Sequence, residues 1–142
     1  METAFSLKIT SDINHIPEVS EKLEGTMQAG GVSGEEILDT QLAVEEAITN
    51  VIVHGYNNPA GEIEISCRVA DGRVVVRITD SAIPFNPLTL PDPDLDAQVS
   101  ERRIGGLGIY LLRQVMDDIG YQYEDGKNIL TLTKNITKKS TE

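Results

Sequence analysis

Two segments in the C-terminal half of the chain have the residue types of a nucleotide pocket. Asp80 ends a run of alternating apolar residues that is typical of a β-strand, and an acid at a strand tip can accept a hydrogen bond from the exocyclic amine of a base. Further along, Gly105, Gly106, Leu107 and Gly108 precede an apolar helical pattern. Glycines before a helix N-terminus expose backbone N–H groups to phosphate. Together the two segments predict a site that binds a nucleotide.

A third segment adds two polar side chains. Glu46 and Asn50 lie four residues apart in a region whose apolar pattern indicates a helix over roughly residues 37–54. This spacing places both side chains on one helix face. Taken alone, polar residues with this spacing more often form a solvated face. Joined to the segments around Asp80 and Gly106, they predict a site built from three distant parts of the chain.

The fold that positions these side chains can be predicted from hydrophobic periodicity. The element order is β, α, α, β, β, loop, α, β, β, which calls for an α+β fold with helices layered on one face of a mixed sheet. Asp71-Gly72 and Asp125-Gly126 predict tight hairpin turns. The expected strands are residues 5–9, 63–69, 73–79, 121–124 and 129–134, and the expected helices are residues 16–30, 37–54 and 107–120.

Two details of this fold are expectations for the structure to test. In the second helix we expect the buried stripe to comprise Leu38, Leu42, Ile48, Val51 and Ile52. The chain of 142 residues is expected to form a single domain, residues 1–142, with a frayed polar tail over residues 135–142.

The long connection before the third helix is also informative. Residues 81–104 contain Pro84, Pro87, Pro91 and Pro93 and show no sustained periodicity. A structureless stretch of this length in a compact domain is uncommon and usually forms a lid or a binding loop. We therefore expect this loop to border the nucleotide site.

Charge and cysteine content limit the partners and the compartment. The formal net charge of −11 disfavours nucleic acid as a partner, because nucleic-acid binding depends on Lys and Arg that neutralise phosphates. Cys67 is the only cysteine, so no intrachain disulfide can form and a reducing compartment is expected. The sequence shows no secretion signal or membrane span. We expect a cytoplasmic protein without a membrane partner.

Several segments resemble the motifs of one ATPase family. Residues 42–56 (LAVEEAITNVIVHGY) resemble the N box of the GHKL, or histidine-kinase-like, ATPases, in the branch of the anti-sigma factor serine/threonine protein kinases of bacterial partner-switching systems. Residues 80–87 resemble the first glycine box of that branch, and residues 103–109 resemble the second. The similarity covers roughly residues 5–135. It implies the Bergerat fold, a two-layer sandwich of helices on one face of a mixed, mostly antiparallel sheet.

The resemblance assigns roles to residues of the first two motifs. Asn50 would supply its amide oxygen to Mg²⁺, a hard ion that favours oxygen ligands. Glu46 would accept a proton from an attacking hydroxyl group. Asp80 would read adenine through its amine, which favours ATP over GTP, and Thr133 would support this contact through water. Ala82 stands where the family usually has glycine, and the extra methyl group is expected to weaken nucleotide binding.

The second glycine motif would hold the phosphates. Gly105, Gly106 and Gly108 would allow close backbone approach, with the helix N-terminus adding favourable charge. Arg102 or Arg103 would neutralise the terminal phosphate, which phosphoryl transfer most needs stabilised. A separate protein-only metal site is not expected, because two histidines and one cysteine do not make a zinc set.

The function implied by this resemblance is an Mg-ATP-dependent serine/threonine kinase. It would phosphorylate a STAS-type antagonist protein, sequester a sigma factor or similar regulator, and form a homodimer. A second hypothesis is a nucleotide-gated sequestering module with little or no kinase activity. A third, a detached catalytic domain of a sensor histidine kinase, is disfavoured because no dimerisation helix pair with a phospho-acceptor histidine precedes the site.

Overall fold

Five strands form one antiparallel sheet in the computed structural model, which describes residues 3–56, 61–89 and 106–136. The strand order is β1-β2-β3-β5-β4, and every pairing is antiparallel. The sheet is therefore antiparallel throughout its described part. The strands are β1 Thr3–Thr10, β2 Glu62–Ala70, β3 Arg73–Asp80, β4 Asp118–Glu124 and β5 Lys127–Asn135, and the helices are α1 Ile16–Ala29, α2 Gly34–Asn50 and α3 Gly106–Val115.

Two tight turns fix the register of the β2–β3 hairpin and of the β4–β5 hairpin. Asp71 and Gly72 have φ angles of 54° and 75°, and Asp125 and Gly126 have φ angles of 54° and 77°. Positive φ at both central residues defines a type I′ turn, whose twist matches that of the flanking strands. Both hairpins predicted from the Asp-Gly pairs are confirmed.

The helices cover one face of the sheet and leave the other open. Side chains on the covered face alternate along each strand, as a period of two requires. Cys67 belongs to this core, and burial raises the pKa of its thiol to about 12, so the thiol stays protonated and unreactive. The core residues of the strands include Ile63, Ile65, Val74, Val76, Ile78, Leu130 and Leu132, and those of α1 and α2 include Val19, Leu23, Met27, Ile37, Val44 and Ile48.

The buried stripe of α2 differs from the expectation. Leu38 is 68% exposed and Leu42 is 37% exposed, so both leucines lie on the solvent side of the helix. Ala43 and Ala47 are buried instead, on a helix that packs against both α1 and α3. The expectation gave the large leucines more weight than the small alanines, but a helix packed between two others buries small residues where the backbones approach closely.

The end of α3 also differs from the expectation. The helix stops at Val115, and Ile119 belongs to β4, where it pairs with Leu132 of β5. The backbone N–H of Asp117 donates to the carbonyl of Thr133 at 2.9 Å, which brings the chain onto the sheet directly after the helix. Periodicity could not show this, because Ile119 continues the helical spacing of Val115 while also fitting a strand.

The last strand extends into the segment expected to be a tail. The backbone N–H of Asn135 donates to the Asp117 carboxylate at 2.6 Å, and the N–H of Ile136 donates to the Gly72 carbonyl at 2.9 Å. These two residues are thus fixed to the sheet, and residues 137–142 lie outside the described part. None of the helices described by the structure is long and apolar enough to cross a bilayer.

Candidate active site

A cleft opens between the C-terminal end of α2, the end of β3, the start of α3 and the β4–β5 hairpin. It encloses about 410 Å³ of space, part of it open to solvent. Most of the lining is apolar, with Ile83, Phe85 and Ile109 among the wall residues. Among the described residues, four polar side chains line it: Asn50, Asp80, Tyr121 and Asn128.

Asp80 is buried in this cleft, at 6% exposure. Its Oδ1 atom accepts a hydrogen bond from the Ala82 backbone N–H at 2.9 Å and another from Asn128 Nδ2 at 2.9 Å. Burial raises the pKa of the Asp80 carboxyl above its ordinary value, although both hydrogen bonds lower it. Oδ2 accepts no hydrogen bond within the described ranges and is not fully enclosed. This second oxygen is therefore the one available to a ligand.

Asn50 joins Asp80 in the cleft, as the sequence predicted. It is the last residue of α2, and its side-chain amide has no hydrogen-bond partner among residues 3–56, 61–89 and 106–136. A π-helical turn, Val51–Gly55, follows at once and is closed by a 2.9 Å hydrogen bond from the Tyr56 N–H to the Val51 carbonyl. Such turns are frequent at functional sites. Here the turn brings the end of α2 against the segment that follows Asp80.

Glu46 lies one helical turn before Asn50 and is half-buried. It does not line the cleft, and its carboxylate has no hydrogen-bond or ion-pair partner in the part of the chain described. The neighbouring Glu45 is different, because it accepts a 2.5 Å hydrogen bond from the Ser20 hydroxyl of α1. Of the two adjacent acids, only Glu46 keeps a free carboxylate on the side of α2 that carries Asn50.

Asn128 is a central residue of the site that the sequence interpretation missed. Its Nδ2 atom donates to Asp80 Oδ1 at 2.9 Å, to the Ile83 carbonyl at 3.1 Å and to the Ala82 carbonyl at 3.3 Å. Its Oδ1 atom accepts from the Phe85 N–H at 3.1 Å and from the Tyr121 hydroxyl. The available signal was a polar residue in phase with the core-facing leucines of β5.

Thr133 does not reach this site, which corrects the role expected for it. In the sheet register Asp80 is opposite Asn128, whereas Thr133 is opposite Val75, five residues further along β5. At about 3.3 Å per residue the two positions on β5 are roughly 16 Å apart. The alternation of side chains also puts Thr133 on the open face of the sheet. Asn128 occupies the position beside Asp80 that the sequence interpretation gave to Thr133.

Ala82, which replaces the glycine usual in the resembling family, is accommodated by a glycine in the π-helical turn after α2. Its side chain is buried, and a Cβ atom added to Gly55 would lie 2.9 Å from the Ala82 Cβ. Real Cβ atoms do not approach so closely, so the absence of a side chain at Gly55 leaves the space that the methyl group of Ala82 uses. The methyl group therefore packs against the π-helical turn.

Tyr56 ties the end of α2 to the residue after Asp80. Its hydroxyl accepts a 2.6 Å hydrogen bond from the Ser81 N–H and donates to the Glu62 carbonyl at 3.0 Å. The ring lies directly over Gly61, where an added Cβ would be 2.1 Å from a ring carbon. Three separate segments thus meet at one tyrosine beside the cleft.

The second glycine segment is described only in part. Gly106, Leu107 and Gly108 form the first turn of α3. The next residue, Ile109, lines the cleft, so the N-terminal turn of α3 adjoins it. Arg102, Arg103 and Gly105 lie outside the described residues, and their roles stay predictions.

The described residues of the cleft offer few metal ligands, which suits a metal ion that is bound mainly by a substrate and by water. Within the described ranges, no group of three or more His, Cys, Asp or Glu side chains could hold a metal. Asn50 offers a single amide oxygen. Mg²⁺ commonly keeps several waters and binds through one or two protein oxygens together with substrate phosphates. The residues present therefore fit Mg²⁺ bound to a nucleotide.

Comparison with known proteins identifies the family. The model of the histidine kinase-like ATPase domain matches residues 9–134. The serine-protein kinase RsbW of Listeria innocua is 34% identical over 125 residues, which are 84% of this chain and 79% of that protein. The serine-protein kinase RsbW of Bacillus mycoides is 28% identical over 140 residues, which are 96% and 87% of the two chains.

A solved structure gives the same fold. The crystal structure of the RsbU and RsbW domains of a Mycobacterium tuberculosis protein covers 94% of this chain with a TM-score of 0.68 at 18% identity, and this chain spans 32% of it. The predicted two-layer α+β sandwich and the resemblance to histidine-kinase-like ATPases are both confirmed. The chain therefore belongs to the histidine kinase-like ATPase domain family, in the branch of the RsbW serine-protein kinases.

Proposed function

We propose that this chain binds Mg-ATP in the cleft around Asp80 and phosphorylates a serine or threonine of a STAS-type antagonist protein. It also sequesters a sigma factor or similar regulator, and so acts as an anti-sigma factor in the cytoplasm, as a homodimer. The observation that carries the proposal is the Asp80 carboxylate, with one oxygen fixed by two donors and the other left for a ligand.

The base of ATP is read by Asp80. Oδ2 accepts a hydrogen bond from the 6-amino group of adenine, while the apolar walls from Ile83 and Ile109 cover the ring faces. Guanine has a carbonyl oxygen at the same position, which would face the carboxylate with no proton between them. A buried acceptor left opposite an acceptor loses the hydrogen bond while keeping its desolvation cost. The site therefore favours ATP.

The phosphates extend from the base toward α3 and Asn50. Gly105, Gly106 and Gly108 allow close backbone approach, the N-terminus of α3 favours negative charge, and Arg102 or Arg103 neutralises the terminal phosphate. Asn50 holds Mg²⁺ through its amide oxygen. When bound, this ion neutralises the charge that the phosphates carry during transfer.

Glu46 is the general base for the acceptor hydroxyl. Two observations support this role: the side chain lies one turn from Asn50 on α2, and its carboxylate has no partner in the described part of the chain. Glu45 is unsuited because the Ser20 hydroxyl already donates to it. Proton abstraction requires a carboxylate that can approach the attacking hydroxyl, and the absence of a partner for Glu46 among the described residues supports this role.

A second candidate function is sequestration of a protein partner with little or no phosphoryl transfer. It is favoured by the exposure of Leu38 and Leu42, which lie four residues apart on the solvent side of α2 and near Glu46. Contiguous exposed apolar surface is one mark of a site that contacts another protein, and these two leucines would form part of it.

The experiment that separates the two candidates is phosphoryl transfer from γ-labelled ATP to candidate antagonists encoded near this chain. Wild type should label the antagonist, Glu46→Gln should retain ATP binding and lose about 10²-fold or more of the transfer rate, and Glu45→Gln should behave like wild type. Equal transfer by wild type and Glu46→Gln would remove the assigned base. No transfer by wild type that still binds ATP and the sigma factor would favour sequestration alone.

A further inference from the structure

We propose that Asn128 and Tyr121 are positioning residues that set the nucleotide preference of the cleft by fixing which atoms Asp80 presents to the base. This inference rests on the proposed binding of ATP in the cleft. The resemblance assigns no role to either residue.

The orientation of the Asn128 amide is determined by two donors. The Phe85 backbone N–H and the Tyr121 hydroxyl both donate to Asn128 Oδ1. The opposite orientation would place the NH₂ group against the Phe85 N–H, which can only donate. It would also remove the Nδ2 bonds to the carbonyls of Ala82 and Ile83. The surroundings therefore allow one amide orientation.

This orientation fixes the role of Asp80. Nδ2 must face Asp80 Oδ1, and together with the Ala82 N–H it supplies two donors to that oxygen. Both hydrogen bonds lower the pKa of the Asp80 carboxyl against the effect of burial, and so favour its ionised form. With the carboxyl ionised, Oδ2 is left as a pure acceptor toward the cleft. A pure acceptor selects a base that donates there, and adenine does so through its 6-amino group.

Tyr121 keeps the amide in place because it remains a donor. Burial raises the pKa of its hydroxyl above the ordinary value, and the nearby Asp80 carboxylate acts in the same direction, against a lowering by the Phe85 N–H. The hydroxyl is therefore protonated at neutral pH. The chain of contacts runs from Tyr121 through Asn128 to Asp80, and chains of this kind orient their members cooperatively.

The chain provides a matched control two residues away on the same strand. Tyr123 is also on β4, but the residue is 46% exposed, and its hydroxyl makes no hydrogen bond in the described part of the chain. Tyr121→Phe and Tyr123→Phe delete the same atom from the same strand. Only the first deletion removes a donor from Asn128.

The test compares the affinities of ATP and of purine riboside triphosphate, which lacks the 6-amino group, for wild type, Tyr121→Phe, Tyr123→Phe and Asn128→Ala. For ATP, affinity should fall about 5- to 10-fold in Tyr121→Phe and at least as much in Asn128→Ala, as expected for lost hydrogen bonds in a buried network. Affinity for purine riboside triphosphate should change less than about twofold in both variants. Tyr123→Phe should match wild type for both ligands.

The outcomes separate this inference from the proposed function. Equal losses for both nucleotides in Tyr121→Phe would mean that the residue only supports the fold, and the inference would be overturned while ATP binding stood. Wild type that binds no ATP would overturn the proposed function and this inference with it. If Asn128→Ala does not fold, as judged by circular dichroism, Tyr121→Phe carries the test, because it deletes one oxygen and keeps the ring.

Discussion

A Cβ atom on Gly55 would lie 2.9 Å from the Cβ of Ala82. Gly55 ends the π-helical turn after α2, and Ala82 follows Asp80 by two residues, so this contact joins the helix that carries Asn50 to the strand end that carries Asp80. The alanine is thus compatible with the site because its neighbour has no side chain. The two residues share one packing space, so a change in side-chain size at one position alters the space at the other.

Gly55→Ala should destabilise the protein, because the added methyl group meets Ala82 inside van der Waals distance. Overpacking of this kind costs about 1–3 kcal/mol of unfolding free energy. The double variant Gly55→Ala with Ala82→Gly should recover most of the loss. Denaturant unfolding of the two single variants and the double variant measures the coupling. Additive effects would show that the two residues do not share the space.

Lys134 should hold α2, α3 and the sheet together. Its Nζ atom, on a side chain only 14% exposed, lies 3.2 Å from the Asp39 carboxylate of α2 and donates to the Val115 carbonyl at the end of α3 at 2.6 Å. Lys134→Met should lower the unfolding free energy by about 1–3 kcal/mol, since both acceptors lose their donor. Lys127→Met on the same strand, at an exposed position, should change it by less than about 0.5 kcal/mol. Equal effects would remove the assigned role.

Asp80 should lower the stability of the ligand-free protein at neutral pH. Because burial raises its pKa in the folded state, the folded protein binds a proton more readily than the unfolded chain between the ordinary pKa and the raised one. Between these two pKa values, the contribution of Asp80 to the free energy of unfolding falls as pH rises. Asp80→Asn keeps both acceptor contacts of Oδ1 without the buried charge.

Thermal unfolding without nucleotide is therefore expected to give Asp80→Asn a melting temperature equal to or above that of wild type at pH 7. The advantage over wild type should shrink as pH falls through the raised pKa, because wild-type Asp80 then becomes neutral too. A strongly lowered melting temperature at pH 7 would contradict this account and would make Asp80 a stabilising residue of the fold.

Much of the fold could be predicted because the deciding features are local. The Asp-Gly pairs at residues 71–72 and 125–126 require positive φ angles that few other residues adopt, and both became type I′ turns. The pairing of Glu46 and Asn50 on one helix face follows from the helical repeat alone. The resemblance predicted that Asp80 and Asn50 belong to one site, and both side chains line the cleft.

The parts that the sequence did not reveal depend on register and packing between distant segments. Asn128 contacts Asp80 because the register of β5 and β3 places the two residues opposite each other. A register shift of one residue would turn the Asn128 side chain to the other face of the sheet. Thr133 was assigned to the site because the register of β3 and β5 cannot be read from the sequence. The contact between Gly55 and Ala82 is likewise decided by a π-helical turn that no local pattern of the sequence indicates.

The measurement that tests the central claim most directly is calorimetric titration of wild type and Asp80→Asn with ATP and with GTP in the presence of Mg²⁺. Wild type should bind ATP and prefer it to GTP. Asp80→Asn should lose about 10- to 100-fold in ATP affinity, the range expected when a buried charged acceptor is replaced, and its preference over GTP should shrink or reverse. Unchanged ATP affinity and preference in Asp80→Asn would place the base elsewhere and contradict the site described.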